Sequence, residues 1–200
     1  MTLLGLDFDN TLVRYDKLFH QLALEKALIE KSLPADKIAI RDYLRSQGQD
    51  EQFTMLQGEV YGLRILEAEP AQGMLKALGG LHLHGIPMVL VSHKTRTPYK
   101  GPAYDLHQAA WSWLDQHGFF APDGLDWSRD QVFFEETKQA KVAKIEALGC
   151  THYVDDLPEI LEMLPKSTTK ILYDPENNHP KSQYMKLTHW NQYDNIKSIR

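Results

Sequence analysis

Short apolar runs that end abruptly in polar residues recur along the chain. The first run, at residues 2–8, passes into the sequence DFDNT, and IPMVLVSHK, QVFFEE, THYVDD and TKILYD repeat this pattern. Apolar runs of this length are typical of strands that are buried on both faces of a parallel sheet. The pattern therefore predicts five buried strands, four of which end in residues able to do chemistry.

Helical periodicity occupies the rest of the chain. Apolar residues recur at helical spacing from Asp16 to about Leu66, and Pro70 opens a further helix. From residue 70 onward strands and helices alternate, which is typical of βαβ units. We predict an α/β fold with a Rossmann-like, three-layer core around a central parallel sheet. Residues 1–13 and 71–200 form this core domain, and residues 14–70 form a small helical insertion after the first strand.

Composition narrows the class of protein. The 200 residues carry a net charge of −5, so we expect neither nucleic acid nor an anionic membrane as a partner. Cys150 is the only cysteine, which excludes internal disulfides and cysteine-based zinc sites. No leader-like start is visible, and no apolar run approaches the roughly 20 residues that span a bilayer. We expect a cytoplasmic protein; the sequence does not predict its oligomeric state.

The candidate site lies where the predicted strands end, because open parallel sheets bind ligands beyond the carboxyl ends of their strands. Asp7 could attack phosphorus as a nucleophile, and Asp9 could act as the general acid and base. Asp155 and Asp156 offer the hard oxygen ligands that Mg²⁺ prefers. A structural turn at DFDNT and helix capping by the second aspartate pair are the alternatives, and the recurrence of carboxylates at two strand ends favours the chemical interpretation.

Two further positions could hold phosphoryl oxygens. Ser92, with the amide of His93, supplies hydrogen-bond donors at the end of the second long strand. A lysine is needed as a counter-charge, and both Lys138 and Lys141 stand near the start of a predicted helix. The sequence leaves the choice between these two lysines open.

The motifs DFDNTLV, VLVSHK, a lysine opening a helix, and YVDDLPEIL, in this order, resemble those of the haloacid dehalogenase-like (HAD) superfamily of phosphotransferases. The resemblance extends from residue 3 to about residue 163, and some twenty positions carry it. It implies that Asp7 is the nucleophile and Asp9 the acid/base. It also implies Mg²⁺ bound by Asp7, by the backbone carbonyl of Asp9 and by Asp156, with Asp155 assisting.

The resemblance gives further residues a role. Because the dehalogenase branch of the family lacks an acid at the place of Asp9, phosphoryl chemistry is implied. Residues 14–70 correspond to a small helical cap that helps to select the substrate. Thr11, Lys94 and Arg96, with Ser92 and His93, are then candidate substrate-binding residues, the two cations holding an anionic part of the substrate.

These observations predict a Mg²⁺-dependent phosphatase that hydrolyses a small phosphorylated metabolite through an aspartyl-phosphate. A phosphomutase would use the same residues and return the phosphoryl group to a substrate hydroxyl. A non-catalytic binding or regulatory module on the same scaffold is the alternative from another class. The identity of the phosphoester is not encoded in a recognisable pattern.

Overall fold

The computed structural model describes residues 2–192 and divides them into two compact units. The core unit comprises residues 2–13, 70–94 and 118–192, and the helical unit comprises residues 14–69 and 95–117. The core domain predicted from the sequence comprises residues 1–13 and 71–200, of which Met1 and residues 193–200 lie outside the described residues.

The core unit is built around a six-stranded parallel sheet in the order β5-β4-β1-β6-β7-β8. The strands of this sheet are β1 (Leu4–Leu6), β4 (Met88–His93), β5 (Val132–Glu135), β6 (His152–Asp155), β7 (Thr169–Tyr173) and β8 (Met185–Leu187). The helices of this unit are α4 (Met74–Leu83), α6 (Lys138–Leu148) and α7 (Pro158–Met163). The α/β, Rossmann-like class predicted from the sequence is confirmed.

Strand order brings the sequence motifs together. The first strand, β1, lies between β4 and β6, with Leu6 opposite Leu90 on one side and Val154 on the other. Because all three strands are parallel, their carboxyl ends meet at one edge. The residues that follow β1, β4 and β6 therefore converge, although they are separated by more than 60 residues in the chain.

The helical unit contains α1 (Asp16–Glu25), α2 (Lys37–Ser46), α3 (Asp50–Gly58) and α5 (Leu106–Gln116). A π-helical turn at Glu59–Leu63 and a 3₁₀ turn at Ile65–Glu67 follow α3, and α5 packs against both turns. Trp113 of α5 is fully buried and donates its indole N–H to Ala68 O at 2.9 Å. The short strands β2 (Val13–Arg14) and β3 (Glu69–Pro70) form a separate two-stranded sheet.

One assignment differs from the expectation. The sequence predicts that residues 95–117 belong to the core domain, as part of the range 71–200. In the structure they pack with residues 14–69. A side chain such as Trp113 is buried by either arrangement, so its hydrophobicity alone cannot indicate which unit it joins. None of the helices within residues 2–192 combines the length and the apolar character needed to cross a membrane.

Packing against the central strand β1 depends on Gly5, its middle residue. A Cβ atom at this position would lie 2.5 Å from Tyr153 Cδ2 and 3.0 Å from Cys150 Sγ. The Tyr153 ring cannot retreat easily, because its side chain is fully buried and its hydroxyl donates to Val91 O. The central strand therefore has room only for glycine at this point.

Gly5→Ala is expected to lower the free energy of unfolding by about 2 kcal/mol, because overpacking displaces the tyrosine ring. Gly79→Ala is the matched control, since Gly79 lies inside α4 and an added Cβ there would meet open space. That control is expected to raise the stability by about 0.5–1 kcal/mol, since alanine restricts the unfolded chain. Urea denaturation of both variants measures the difference, and equal stabilities would contradict this account of the packing.

Candidate active site

Asp7 is the residue around which the strand-end side chains gather. It follows β1 directly, and its backbone N–H donates to Val154 O at 2.9 Å, which extends the pairing with β6. Its carboxylate is almost completely buried. Ser92 Oγ donates to Asp7 Oδ1 at 2.9 Å, and Lys141 Nζ donates to the same oxygen at 2.6 Å. The predicted nucleophile thus lies between a hydroxyl and an ammonium group.

Lys141 joins two of the carboxylates. Its Nζ lies 2.6 Å from Asp7 Oδ1 and 2.6 Å from Asp155 Oδ2, and its side chain is 2% exposed. Burial alone would lower the pKa of Lys141, but the charges of Asp155 and Asp7 raise that pKa well above its ordinary value. Lys141 is therefore a permanently charged bridge across the carboxyl ends of β1 and β6.

Lys138 occupies a different position on the same helix. Its ammonium group donates to Glu159 Oε2 at 2.7 Å, and its side chain is 35% exposed. The helix begins after Thr137, whose side chain accepts from Ala140 N and caps the first turn. Lys141 lies three residues after Lys138, and its ammonium reaches Asp7. Of the two lysines that the sequence left open, the structure brings Lys141 to the site.

Asp7, Asp155 and Asp156 form a group of carboxylates with oxygen atoms within 4.8 Å of one another. Three carboxylates with one ammonium group among them leave an excess of two negative charges in a largely buried space. Burial raises the pKa of Asp155 above its ordinary value, even though the Lys141 ammonium acts in the opposite direction. Hard oxygen donors with this charge excess fit a divalent cation such as Mg²⁺.

Asp9 belongs to a separate contact. Both of its carboxylate oxygens accept from Lys94 Nζ, at 2.9 and 2.8 Å. The family resemblance implies that Asp9 ligates the metal through its backbone carbonyl, and that role stays a prediction. Asp9 follows Asp7 by two residues, but its carboxylate is not part of the group formed by Asp7, Asp155 and Asp156.

The loop that carries Asp9 is tightly wound. The amides of Leu12 and Val13 both donate to Phe8 O, at 3.0 and 3.2 Å. Asn10 has a φ of +59°, a left-handed conformation that asparagine tolerates better than most residues. Glycine would suit the same place, so the asparagine is compatible with the turn. This turn brings Thr11 within hydrogen-bond distance of Asp7.

Thr11 lies in this loop and is fully buried. Its hydroxyl donates to Asp7 Oδ2 at 3.5 Å, and its carbonyl oxygen accepts from Trp190 Nε1 at 3.2 Å. Trp190 could not be predicted as part of these surroundings, because nothing in the local pattern around residue 190 indicates a contact with the loop after the first strand. The indole nevertheless supports the loop that leads from Asp7 and Asp9 to β2.

The remaining predicted substrate-binding residues have different surroundings. His93 is partly buried at the end of β4, and burial lowers its pKa, which favours the neutral imidazole. Arg96 belongs to the helical unit, where its guanidinium donates to Asp105 Oδ2 at 3.0 Å. The Lys94 ammonium is bound to Asp9. Their contacts with a substrate stay predictions.

This chain is similar to a known protein over most of its length. No protein-family model matches the chain. The "Putative nucleotidase" of Oceanobacillus iheyensis is 25% identical over 195 residues, covering 94% of this chain and 95% of that protein.

Two solved structures illustrate the similarity in three dimensions. A HAD-superfamily hydrolase of subfamily IA from Geobacter sulfurreducens matches with a TM-score of 0.58 at 11% identity, covering 98% of this chain and 96% of that one. A structure described as a dehalogenase matches with a TM-score of 0.61 at 12% identity over the same shares of the two chains. Identities this low show a common fold.

Proposed function

We propose that this chain, whose fold is that of the HAD-superfamily hydrolases, is a Mg²⁺-dependent phosphatase that hydrolyses a small phosphomonoester through an aspartyl-phosphate. The observation that carries the proposal is the environment of Asp7. A buried carboxylate held by Ser92 and Lys141, beside Asp155 and Asp156, combines a nucleophile with groups that balance phosphoryl charge. The relative described as a nucleotidase supports this class and makes nucleoside monophosphates the first substrates to test.

The chain's own residues divide the reaction into two steps. In the first, Asp7 forms a bond to phosphorus while the bond from phosphorus to the leaving oxygen breaks, and Asp9 gives that oxygen a proton. In the second, Asp9 takes a proton from a water molecule whose oxygen bonds to phosphorus, and the bond to Asp7 breaks. Ser92 and Lys141 hold charged oxygen atoms throughout. When bound, Mg²⁺ would supply the positive charge that lets an anionic nucleophile approach an anionic phosphate.

Asp9 favours phosphoryl transfer over dehalogenation, although a dehalogenase is among the matching structures. Displacement of a halide needs no proton for the leaving group, whereas an alcohol leaves most easily once it is protonated. A carboxylate two residues after the nucleophile meets that need. The helical unit is proposed to select the substrate, as the cap of the resembling family does.

The full chain is expected to release inorganic phosphate from at least one member of a panel of nucleoside monophosphates, sugar phosphates and small phosphorylated acids when Mg²⁺ is present. Removal of the cation with EDTA should abolish the release, and added Mg²⁺ should restore it, because the carboxylate group needs a compensating charge. A colorimetric phosphate assay measures the release, and titration calorimetry measures Mg²⁺ binding separately.

Other outcomes of this experiment point to the rival functions. Conversion of a sugar phosphate to its isomer through a bisphosphate, with little phosphate released, would indicate a phosphomutase. No turnover of any substrate together with no heat of Mg²⁺ binding would overturn the proposal and favour a non-catalytic binding module.

A further inference from the structure

Lys94 forms an ion pair with Asp9, and the two reaction steps proposed above give Lys94 no role. Its ammonium group donates to both carboxylate oxygens of Asp9, and its side chain is 3% exposed. Most other ion pairs among the described residues lie nearer to solvent, where they contribute little. A two-point contact between a buried ammonium and a carboxylate instead restricts the carboxylate to one orientation.

The backbone of β5 and the Phe8 ring hold Lys94 in this position. Its backbone N–H donates to Glu135 O at 2.8 Å, which continues the pairing of β4 with β5. Its ammonium lies 5.3 Å from the centre of the Phe8 ring, within the range of a cation–π interaction. That ring is fully buried and meets Phe134 edge-on at 5.9 Å between centroids. The ammonium is therefore part of the packed core and is placed by the sheet itself.

The Asp9 side chain is more exposed than that of its neighbour Asp7, which is 6% exposed. The Asp9 side chain is 25% exposed, so water competes for its oxygens. Asp7 is bonded by both Ser92 and Lys141. Without Lys94, the Asp9 carboxylate would lose two charge-assisted hydrogen bonds and gain rotational freedom toward solvent.

We propose that Lys94 is a positioning residue that holds Asp9 for both of its proton transfers, an inference that rests on the proposed phosphatase function. In the first step Asp9 gives its proton to the oxygen that leaves phosphorus, and in the second it receives a proton from the attacking water. A protonated carboxyl group keeps one oxygen that accepts from Lys94, so the support lasts through both steps. General acid/base catalysis requires hydrogen-bond reach, and small displacements reduce it sharply.

The chemistry of the leaving group tests the proposal. p-Nitrophenolate leaves without protonation, whereas the alkoxide of an alkyl phosphate needs a proton. In Lys94→Met, turnover of an alkyl phosphate is expected to fall about 100-fold in kcat, with KM changed less than about twofold. With p-nitrophenyl phosphate the same variant should release one equivalent of p-nitrophenol rapidly and then turn over slowly, because hydrolysis of the aspartyl-phosphate still needs Asp9 as a base.

Two further variants separate positioning from a structural effect. Lys94→Arg keeps a cation at the site and is expected to restore part of the lost kcat. Lys94→Met added to Asp9→Asn should cause no further loss, because a residue that acts through Asp9 has nothing left to position. Lys170→Met is the control: its ammonium donates to Leu164 O within the core unit, away from the strand ends, and its turnover should match that of the wild type.

Each contrary result has a distinct meaning. A raised KM with kcat retained would overturn the proposal and place Lys94 on the substrate. Equal losses for both leaving groups without a burst, or additive losses in the double variant, would also overturn it. If the wild-type chain hydrolysed neither class of substrate, the proposed phosphatase function would fail, and the inference about Lys94 would fail with it.

Discussion

Asp7→Asn is expected to lower phosphate release by about four orders of magnitude or more while leaving the fold intact, because the amide cannot form the aspartyl-phosphate. The amide oxygen can still accept from Ser92 and Lys141, which are both at hydrogen-bond distance from Asp7 Oδ1. The change also removes one negative charge from a group with an excess of two. Steady-state phosphate release, with circular dichroism for the fold, measures the outcome.

Asp174→Asn is the matched control for this experiment. Asp174 is a buried aspartate directly after β7, where it accepts from the backbone of Asn178 and His179 and from Lys186. Its replacement should lower the stability by about 1–3 kcal/mol, because charge-assisted hydrogen bonds are lost, and should leave turnover in place. Hydrolysis by Asp7→Asn at a rate near that of the wild type would refute nucleophilic catalysis by Asp7.

Lys141→Met is expected to damage both catalysis and stability. Methionine keeps much of the buried stem but leaves Asp7 and Asp155 without their shared ammonium. Breaking a buried ion pair by removing one partner costs about 3–5 kcal/mol, and losing a donor to the transferring phosphoryl group costs about 100-fold to 1,000-fold in kcat. Urea denaturation in EDTA and kinetics in Mg²⁺ measure the two effects.

Added Mg²⁺ should return part of the stability lost in Lys141→Met, because the cation offsets the charge that the ammonium no longer balances. Lys138→Met is the comparison, since that ammonium contacts Glu159 at a partly exposed position and contributes less than about 1 kcal/mol. A loss of kcat in Lys138→Met equal to that in Lys141→Met would contradict the placement of Lys141 at the site.

The parallel sheet could be predicted because its central strands β1, β4 and β6 are buried on both faces and each is followed by or ends in polar residues. β8 (Met185–Leu187) was not predicted, because it has only three residues, and of these only Leu187 is buried. A short edge strand with one inward side chain has no periodicity to detect. The pairing of β8 with β7 comes from the tertiary fold.

The sequence predicted which carboxylates lie at the candidate site, but it did not predict which cations contact them. Asp7 and Asp155 directly follow apolar runs, so the local sequence is enough to place them at strand ends. The choice between Lys138 and Lys141 depends on how α6 is rotated against the sheet, and both lysines fit the helix start equally well. The contact between Lys94 and Asp9 depends on β4 being the neighbour of β1, which no local pattern states.

The bond from Trp190 to Thr11 makes the loop that carries Asp9 depend on a residue far along the chain. The two residues are 179 positions apart, so Thr11 is synthesised long before Trp190. A nascent chain that has already paired β1 with β4 and β6 still lacks that support. Asp7 and Asp9, the proposed nucleophile and proton donor, acquire their complete surroundings only after Trp190 has been synthesised and has reached the loop.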